Sequence, residues 1–440
     1  MAPPVLSAFS RPGLRLPRHR ATTAHLCAIY PFQAEPGFGA RGVYLGTDYV
    51  AGEGAFCYDC FQLYTDKVIT NPNMIIIGEP GSGKSSFVKC LLYRSVGAMR
   101  SPNGGPRWCA VVDPKGEYGL LADALGLARV RLFPGGSDRL NPLDAGPGAA
   151  LLGPNAVADR RTAMVGALLG AVLRRDLNPL EDAGVGWAIG HLPTSATGRQ
   201  PVLSDLGHLL ANPTAEMVER AGCGKDDLIH GIRDARFALG KLLDRDLRGM
   251  FDGPSTVRTD WSGRGLVLDL SAVHGNRAAL RLVMIATTAW LQALMAFPES
   301  EDTPRRYQVL DEGYVLLGDE HTARYLETCW KLCRLYGVAN IFIGHRLSDL
   351  RSQADDGTAT AKIAEGLLAD TQTRVIFRQS SDQVELTQKA LQLTDLEAAL
   401  LPDLAQGTAL WKVAGRAAVV QHAVAPDEWV FCNTDSALAV

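Results

Sequence analysis

The segment that decides the fold is GEPGSGKS, residues 78–85, which matches G-x-x-x-x-G-K-[ST] at every specified position. It follows the apolar run Met74-Ile75-Ile76-Ile77, typical of a strand buried on both faces, and precedes a helical pattern over 86–94. In a strand, loop and helix of this kind, glycines let backbone N–H groups curl around a phosphate at the helix N-terminus. The segment therefore predicts a phosphate-binding loop, and its flanking strand and helix disfavour a chance glycine turn.

Two side chains of this loop carry the expected chemistry. Lys84 should contact the β- and γ-phosphates of a nucleotide, and the Ser85 hydroxyl should ligate Mg²⁺. We expect ATP and Mg²⁺ as the ligands. The predicted nucleotide-binding set is Gly78, Glu79, Pro80, Gly81, Ser82, Gly83, Lys84, Ser85 and Ser86.

Further apolar runs alternate with helical stretches and predict the fold class. The additional candidate strands are Cys109–Val112, Leu266–Leu268, Tyr307–Leu310, Ile341–Ile343 and Val375–Phe377. Continuous apolar runs of this length are typical of a mostly parallel sheet covered by helices, so the sequence predicts a doubly wound α/β fold. Near the end of the chain, Thr408–Val413 and Arg416–Gln421 predict a hairpin, which we place at the sheet edge.

One region breaks the alternation of strands and helices. Residues 145–260 contain helical patterns, such as those over 156–175 and 226–250, and no convincing strand. The predicted organisation is a flexible basic N-terminal arm (1–35), a core (36–144 and 261–430), an all-α insertion (145–260) and a C-terminal tail (431–440).

Composition excludes several classes of protein. The 440 residues include 44 Lys and Arg against 47 Asp and Glu, so a generally basic nucleic-acid coat is excluded while a local basic channel is not.

Nine scattered cysteines do not form a disulfide framework and favour a cytoplasmic protein. Cys57 and Cys60 have zinc or redox spacing, but zinc would need a second ligand pair that the sequence does not offer, and the sequence does not decide whether they have a role beyond packing. The most apolar stretch, 282–297, is shorter than the roughly 20 residues that span a bilayer, so we expect no transmembrane segment.

A pair of acidic residues follows another predicted strand. Asp311 and Glu312 come directly after the apolar run 307–310. Beside a phosphate-binding loop, Asp311 is expected to hold Mg²⁺ and Glu312 to polarise the attacking water. A solvated acidic turn is the competing interpretation, which the loop at 78–85 disfavours.

Four more polar residues are candidates for the same site. Asp113 and Glu117, in D-P-K-G-E-Y, follow a buried strand and could face the same crevice, although an Asp-capped turn is equally consistent. His345 follows the strand that ends at Gly344 and could sense the γ-phosphate. Arg334 ends a helical pattern before that strand, and it could be an arginine finger for a neighbouring subunit or simply complement the helix dipole.

The motifs taken together resemble a known family. They are the loop at 78–85, D-P-K-G-E-Y at 113–118, L-N-P-L-D at 140–144, the acidic pair at 311–312 and C-R-L-Y-G at 333–337. In this order they resemble the TraC/VirB-type conjugal-transfer ATPases of type IV secretion systems, within the FtsK–HerA superfamily of P-loop motors. The resemblance spans about residues 40 to 425, and the second and third segments narrow it most.

The resemblance implies a RecA-like motor domain with an all-α insertion, acting as a homo-hexamer. It implies that subunits of an envelope-spanning secretion or conjugation channel are partners, with single- or double-stranded DNA as a further candidate. The location would be cytoplasmic or peripheral at the inner face of the cell membrane. It also implies that Arg334 matches the arginine-finger position, while Gly344-His345 replaces the family's usual Thr-Gln pair.

The expected function is therefore that of an ATP-hydrolysing motor that powers transfer of DNA or protein. An alternative is a DNA translocase or coupling-protein-like pump of the same superfamily. A third hypothesis, a nucleotide-binding regulatory subunit with little turnover, is disfavoured by the presence of Lys84, Asp311 and Glu312 together.

Overall fold

A computed structural model describes most of the chain between residues 38 and 433. The described residues are 38–50, 53–102, 104–146, 149–193, 199–244, 247–257, 263–295, 303–318, 320–345 and 359–433. The predicted arm, 1–35, lies outside them.

Eleven strands of the described residues form one sheet in the order β2-β1-β11-β10-β9-β3-β8-β7-β4-β6-β5. The strands are β1 (Val43–Asp48), β2 (Gly54–Tyr58), β3 (Met74–Ile77), β4 (Trp108–Asp113), β5 (Ala128–Arg131), β6 (Gly265–Asp269), β7 (Arg306–Leu310), β8 (Val338–Gly344), β9 (Thr373–Phe377), β10 (Thr408–Val413) and β11 (Arg416–His422). All six predicted core strands are present.

The sheet is parallel from β9 to β5 and antiparallel from β9 to β2. The predicted hairpin forms, with Val413 paired to Arg416. Its predicted position at the sheet edge is wrong, because β1 pairs with β11 and carries β2 outside it. The mostly parallel α/β fold is confirmed.

Helices connect the strands and cover the sheet. They are α1 (Cys60–Thr65), α2 (Lys84–Ala98), α3 (Gly119–Leu125), α4 (Ala149–Leu173), α5 (Pro179–Gly190), α6 (Leu203–Ala211), α7 (Ala215–Ala221), α8 (Lys225–Gly231), α9 (Arg233–Leu243), α10 (Arg277–Met295), α11 (Glu320–Tyr336), α12 (Ala359–Asp370), α13 (Ser381–Leu391), α14 (Asp395–Leu400) and α15 (Trp429–Cys432). Among the described residues, no helix combines the length and apolarity that crossing a membrane requires.

Alternating residues of the central strand belong to two hydrophobic cores, one on each face of the sheet. Met74 and Ile76 pack with α2 residues such as Phe87 in one core. Ile75 and Ile77 belong to the other core, which also contains residues of α4 to α6, α9 and α10. Burial on both faces explains why β3 is a continuous apolar run, and it fixes the loop after β3 on a rigid support.

The described residues within 145–260 contain the helices α4 to α9 and no strand. At the other end of the chain, the boundary we set for the tail is wrong. Phe431 and Cys432 are 4% and 2% exposed and belong to the core that contains α2. The core therefore includes α15, which lies beside the phosphate-binding loop.

Candidate functional site

The loop between β3 and α2 has the conformation that its sequence predicts. Gly81 and Gly83 have φ values of 73° and 108°, in the region that glycine favours. Gly83 is the N-cap of α2, so the helix begins at Lys84 and its first N–H groups face the loop. Ser82 Oγ donates to the carbonyl of Glu79 at 2.7 Å and closes the turn. The loop is therefore built to bind an anion at a helix N-terminus.

Lys84 is held inside this loop. Its Nζ donates to the carbonyls of Gly78 and Glu79 at 2.6 and 2.7 Å, and the residue is 5% exposed. Burial lowers the pKa of Lys84 to about 8, and the nearby charges of Asp311 and Glu312 oppose that shift. At neutral pH the ammonium therefore remains protonated and faces a site that can receive phosphate.

Asp311 and Glu312 follow β7 and are both buried. Burial, and next the charge of Glu312, raise the pKa of Asp311 to about 7. This carboxyl group lines the same cavity as Ser85. A hydroxyl and a carboxylate are the oxygen donors that Mg²⁺ prefers, so the two residues fit the predicted metal site.

Glu312 is held by two cationic or polar partners. Its backbone lies in the left-handed region with φ of 53°, which is uncommon for a residue other than glycine. Its Oε1 forms an ion pair with Lys115 and lies 2.8 Å from His345 Nε2. Burial alone would raise the pKa of Glu312, but His345 and Lys115 outweigh it and lower the pKa to about 2.

The other oxygen of the Glu312 carboxylate is free to act. Within the described part of the chain, Oε2 is buried and has no hydrogen-bond partner. An ionised carboxylate with one anchored and one unpaired oxygen can accept a proton from water. The arrangement therefore suits the role predicted for Glu312.

A cavity of about 470 Å³ joins these groups. Its lining includes Pro80, Gly81, Gly83, Lys84, Ser85, Ser86, Lys115, Glu117, Asp311 and His345. Glu312 does not line the cavity itself and lies behind Lys115 and His345, which do. The predicted nucleotide loop, metal ligands and His345 are thus brought together in one place.

The two candidates of the D-P-K-G-E-Y segment differ in position. The carboxylate of Asp113 accepts hydrogen bonds from the backbone N–H groups of residues 115 to 118, at 2.8 to 3.3 Å, and the residue is 0% exposed. Asp113 is therefore the cap of a turn. Glu117 lines the cavity.

Arg334 does not line this cavity. It lies exposed in the last turn of α11, just before the amino end of β8, whereas His345 follows the carboxyl end of that strand. A strand of seven residues spans about 20 Å, so the two residues lie near opposite ends of β8. Within one chain Arg334 is remote from the phosphate-binding loop.

Sequence reasoning missed Lys115 and the C-terminal wall of the cavity. In the segment 113–118 only the carboxylates of Asp113 and Glu117 were candidates, although Lys115 also follows a strand that ends at the site. The wall contains Gln421, His422 and Trp429, from β11 and α15. Only the pairing of distant strands brings these residues to the loop.

The L-N-P-L-D segment, which narrowed the resemblance, has a structural position. Asn141 is 0% exposed, and its amide donates to the carbonyl of Pro201 at 2.8 Å. Asp144 accepts hydrogen bonds from Ser255 Oγ and Trp290 Nε1. These contacts join the start and end of the helical region to α10, and they do not reach the phosphate-binding loop.

The sheet and the loop between β3 and α2 define a RecA-like P-loop fold. The chain is similar to VirB4 of Thermoanaerobacter pseudethanolicus, with a TM-score of 0.65 and 20% sequence identity over 89% of this chain and 100% of that one. It is also similar to TrwB, a bacterial conjugative coupling protein, in its unbound form (TM-score 0.52, 17% identity, covering 80% of this chain and 85% of that one). TrwB in complex with ADP and Mg²⁺ gives the same TM-score of 0.52 and 17% identity, covering 80% and 86% of the two chains.

No protein-family model matches the sequence, and no curated protein does either. The similarity to the solved structures of VirB4 and TrwB confirms, at the level of the fold, the resemblance stated from the motifs.

Proposed function

We propose that this protein is an ATP-hydrolysing motor of the type IV secretion or conjugal-transfer kind, powering the transfer of DNA or protein. The observation that carries the proposal is the convergence of Lys84, Ser85 and Asp311 on one cavity, with the ionised Glu312 directly behind it. VirB4 and TrwB have the same fold, and TrwB binds ADP and Mg²⁺.

In this proposal each residue has one task in hydrolysis. The N–H groups at the start of α2 and the Lys84 ammonium bind the phosphates, while Ser85 and Asp311 would hold Mg²⁺. A bound Mg²⁺ would neutralise charge on the phosphate oxygens. Glu312 accepts a proton from the attacking water through Oε2, and His345 orients Glu312 through Oε1.

Lys115 links phosphate binding to the exposure of Glu312. Its ammonium pairs with Glu312 while its side chain also lines the cavity. A triphosphate carries more negative charge than one carboxylate, so it competes for the ammonium. Turning Lys115 toward the phosphates uncovers Glu312 at the moment when a substrate is present.

The proposal includes a homo-hexamer in which Arg334 acts across a subunit boundary. Arg334 is exposed and remote from its own phosphate-binding loop, which is where a residue serving a neighbour must be. Channel subunits of an envelope-spanning apparatus are the proposed partners, with the motor bound peripherally at the inner face of the membrane.

A DNA translocase resembling coupling proteins is the second candidate, favoured by the similarity to TrwB. The two are separated by measuring ATP hydrolysis alone, with single-stranded DNA and with double-stranded DNA, beside the mass of the assembly. Turnover in a hexamer supports the motor, and stimulation by either DNA identifies the cargo. A monomer that binds ATP without turnover under all three conditions would overturn the proposal.

A further inference from the structure

The cavity has two chemically different halves. Charged side chains line the half formed by the loops after β3, β4 and β7, namely those of Lys84, Lys115, Glu117 and Asp311. The other half is formed by β11, the turn before β10 and the segment through α15. Its lining residues include Gln406, Gln421, His422, Val424, Trp429 and Asn433.

The order of the strands sets these halves on opposite sides of the phosphate-binding loop. The loop follows β3, with β8, β7 and β4 on one side and β9, β10 and β11 on the other. Gly407 lies against the loop itself, since a Cβ atom on Gly83 would lie 3.1 Å from Gly407 Cα. The second half therefore begins at the loop and leads away from the acidic groups.

The six residues named for the second half carry no charge at neutral pH. Burial lowers the pKa of His422 to about 3, so its ring is neutral. Its Nε2 accepts a hydrogen bond from Trp411 Nε1 at 3.0 Å, which leaves Nδ1 to donate to the carbonyl of Gly407. The Phe87 ring stacks on it with centroids 4.4 Å apart. The floor of this half is therefore aromatic and uncharged.

Trp429 stands exposed at the rim of the same half. The residue is 56% exposed, although a side chain of this size usually finds burial. The helix that carries Trp429, α15, is anchored to the rest of the protein. Phe431 and Cys432 are buried, and Arg94 forms a two-point ion pair with Glu428, which directly precedes the helix. The indole ring is thus a surface held in place beside the cavity.

We propose that the uncharged half binds the base of the nucleotide, with Trp429 as the ring on which the base stacks. This inference rests on the proposed function, because phosphates bound at Lys84 leave the rest of a nucleotide to extend into the other half of the cavity that the described residues form. Stacking uses the π-face that every base has, so ATP and GTP should bind with similar affinity.

The test compares ADP with tripolyphosphate, which has phosphates and no base, by calorimetry on the full chain. Trp429→Ala should weaken ADP binding about 10-fold and leave tripolyphosphate binding unchanged. Trp429→Phe keeps an aromatic face and should restore most of the affinity. Val430→Ala is the matched control, because Val430 is 68% exposed in the same turn and does not line the cavity.

The outcomes are separable from those of the proposed function. Unchanged ADP affinity in Trp429→Ala, or equal weakening of ADP and tripolyphosphate, would overturn Trp429 as the base platform. Wild-type protein that binds tripolyphosphate as tightly as ADP would overturn the base subsite and leave the phosphate site standing. Failure of the wild type to bind either ligand would instead overturn the proposed function.

Discussion

His345 Nε2 lies 2.8 Å from Glu312 Oε1, so the residue after β8 orients the carboxylate after β7. The contact helps to lower the pKa of Glu312 to about 2, against the effect of burial. It also gives His345 a role at Glu312 that the sequence alone did not predict. In the proposed mechanism His345 is a positioning residue, because it acts through Glu312.

Replacing His345 should therefore change the pH profile of hydrolysis as well as its rate. His345→Ala should lower ATP turnover about 10-fold. Loss of the imidazole raises the pKa of Glu312, so the carboxylate protonates at higher pH and the acid limb of the kcat profile moves upward. His345→Gln keeps a donor and should recover part of the rate. An unchanged acid limb in His345→Ala would contradict the positioning role.

The pKa of Lys84 predicts how nucleotide affinity responds to alkaline pH. The group is protonated below about pH 8 in the free protein, and bound phosphates raise its pKa further. Affinity should therefore be full below about pH 8 and fall toward tenfold per pH unit above it. Calorimetric Kd values for ADP, measured between about pH 7 and pH 9.5, check this. Lys84→Arg stays charged over the whole range and should lack the decline.

Asp311 should govern the benefit that Mg²⁺ gives to nucleotide binding. Its pKa of about 7 means that Mg²⁺ must displace a proton below that value. The ratio of Kd without Mg²⁺ to Kd with it should rise as the pH increases through about 7. Asp311→Asn should flatten this pH dependence and lower turnover about 100-fold. A wild-type ratio independent of pH would contradict the assignment of Asp311 as a ligand.

Arg334 tests the proposed assembly. If its guanidinium stabilises the transition state of a neighbour, Arg334→Ala should lower turnover about 100-fold with nucleotide affinity nearly unchanged. Mixing Arg334→Ala with Glu312→Gln subunits should restore some activity, because some interfaces then have both parts intact. Full activity of Arg334→Ala, or a dead mixture whose mixed oligomers demonstrably form, would reduce Arg334 to a helix-end arginine.

The six predicted strands were accessible from the sequence because burial on both faces makes them continuous apolar runs. The strands we missed have other patterns: β5 buries only Val130 of its four residues, and β1 is interrupted by Gly46. β1 pairs with β11 through positions far apart in the sequence, such as Gly46 and His422, and no local sequence pattern predicts this pairing. The hairpin was therefore found and its place in the sheet was not.

The same division applies to the site. The loop at 78–85 and the acidic pair at 311–312 could be predicted, because each chemistry depends on short spacing beside a strand. The contact of His345 with Glu312, and the position of Trp429 at the rim, depend on how distant strands are ordered. Asp113 is an example in which the local sequence fits both a turn cap and a site residue. The sequence alone therefore did not decide between these two roles.

The central claim is that Glu312 activates water in a cavity where Lys84 binds phosphates. The most direct measurement is ATP turnover, with ATP affinity measured in parallel, for the wild type and for Glu312→Gln. Glu385→Gln is the control, since that side chain is 79% exposed. The account predicts that Glu312→Gln binds ATP as the wild type does and hydrolyses it at least about 100-fold more slowly, while Glu385→Gln behaves as the wild type. Wild-type turnover in Glu312→Gln would contradict it.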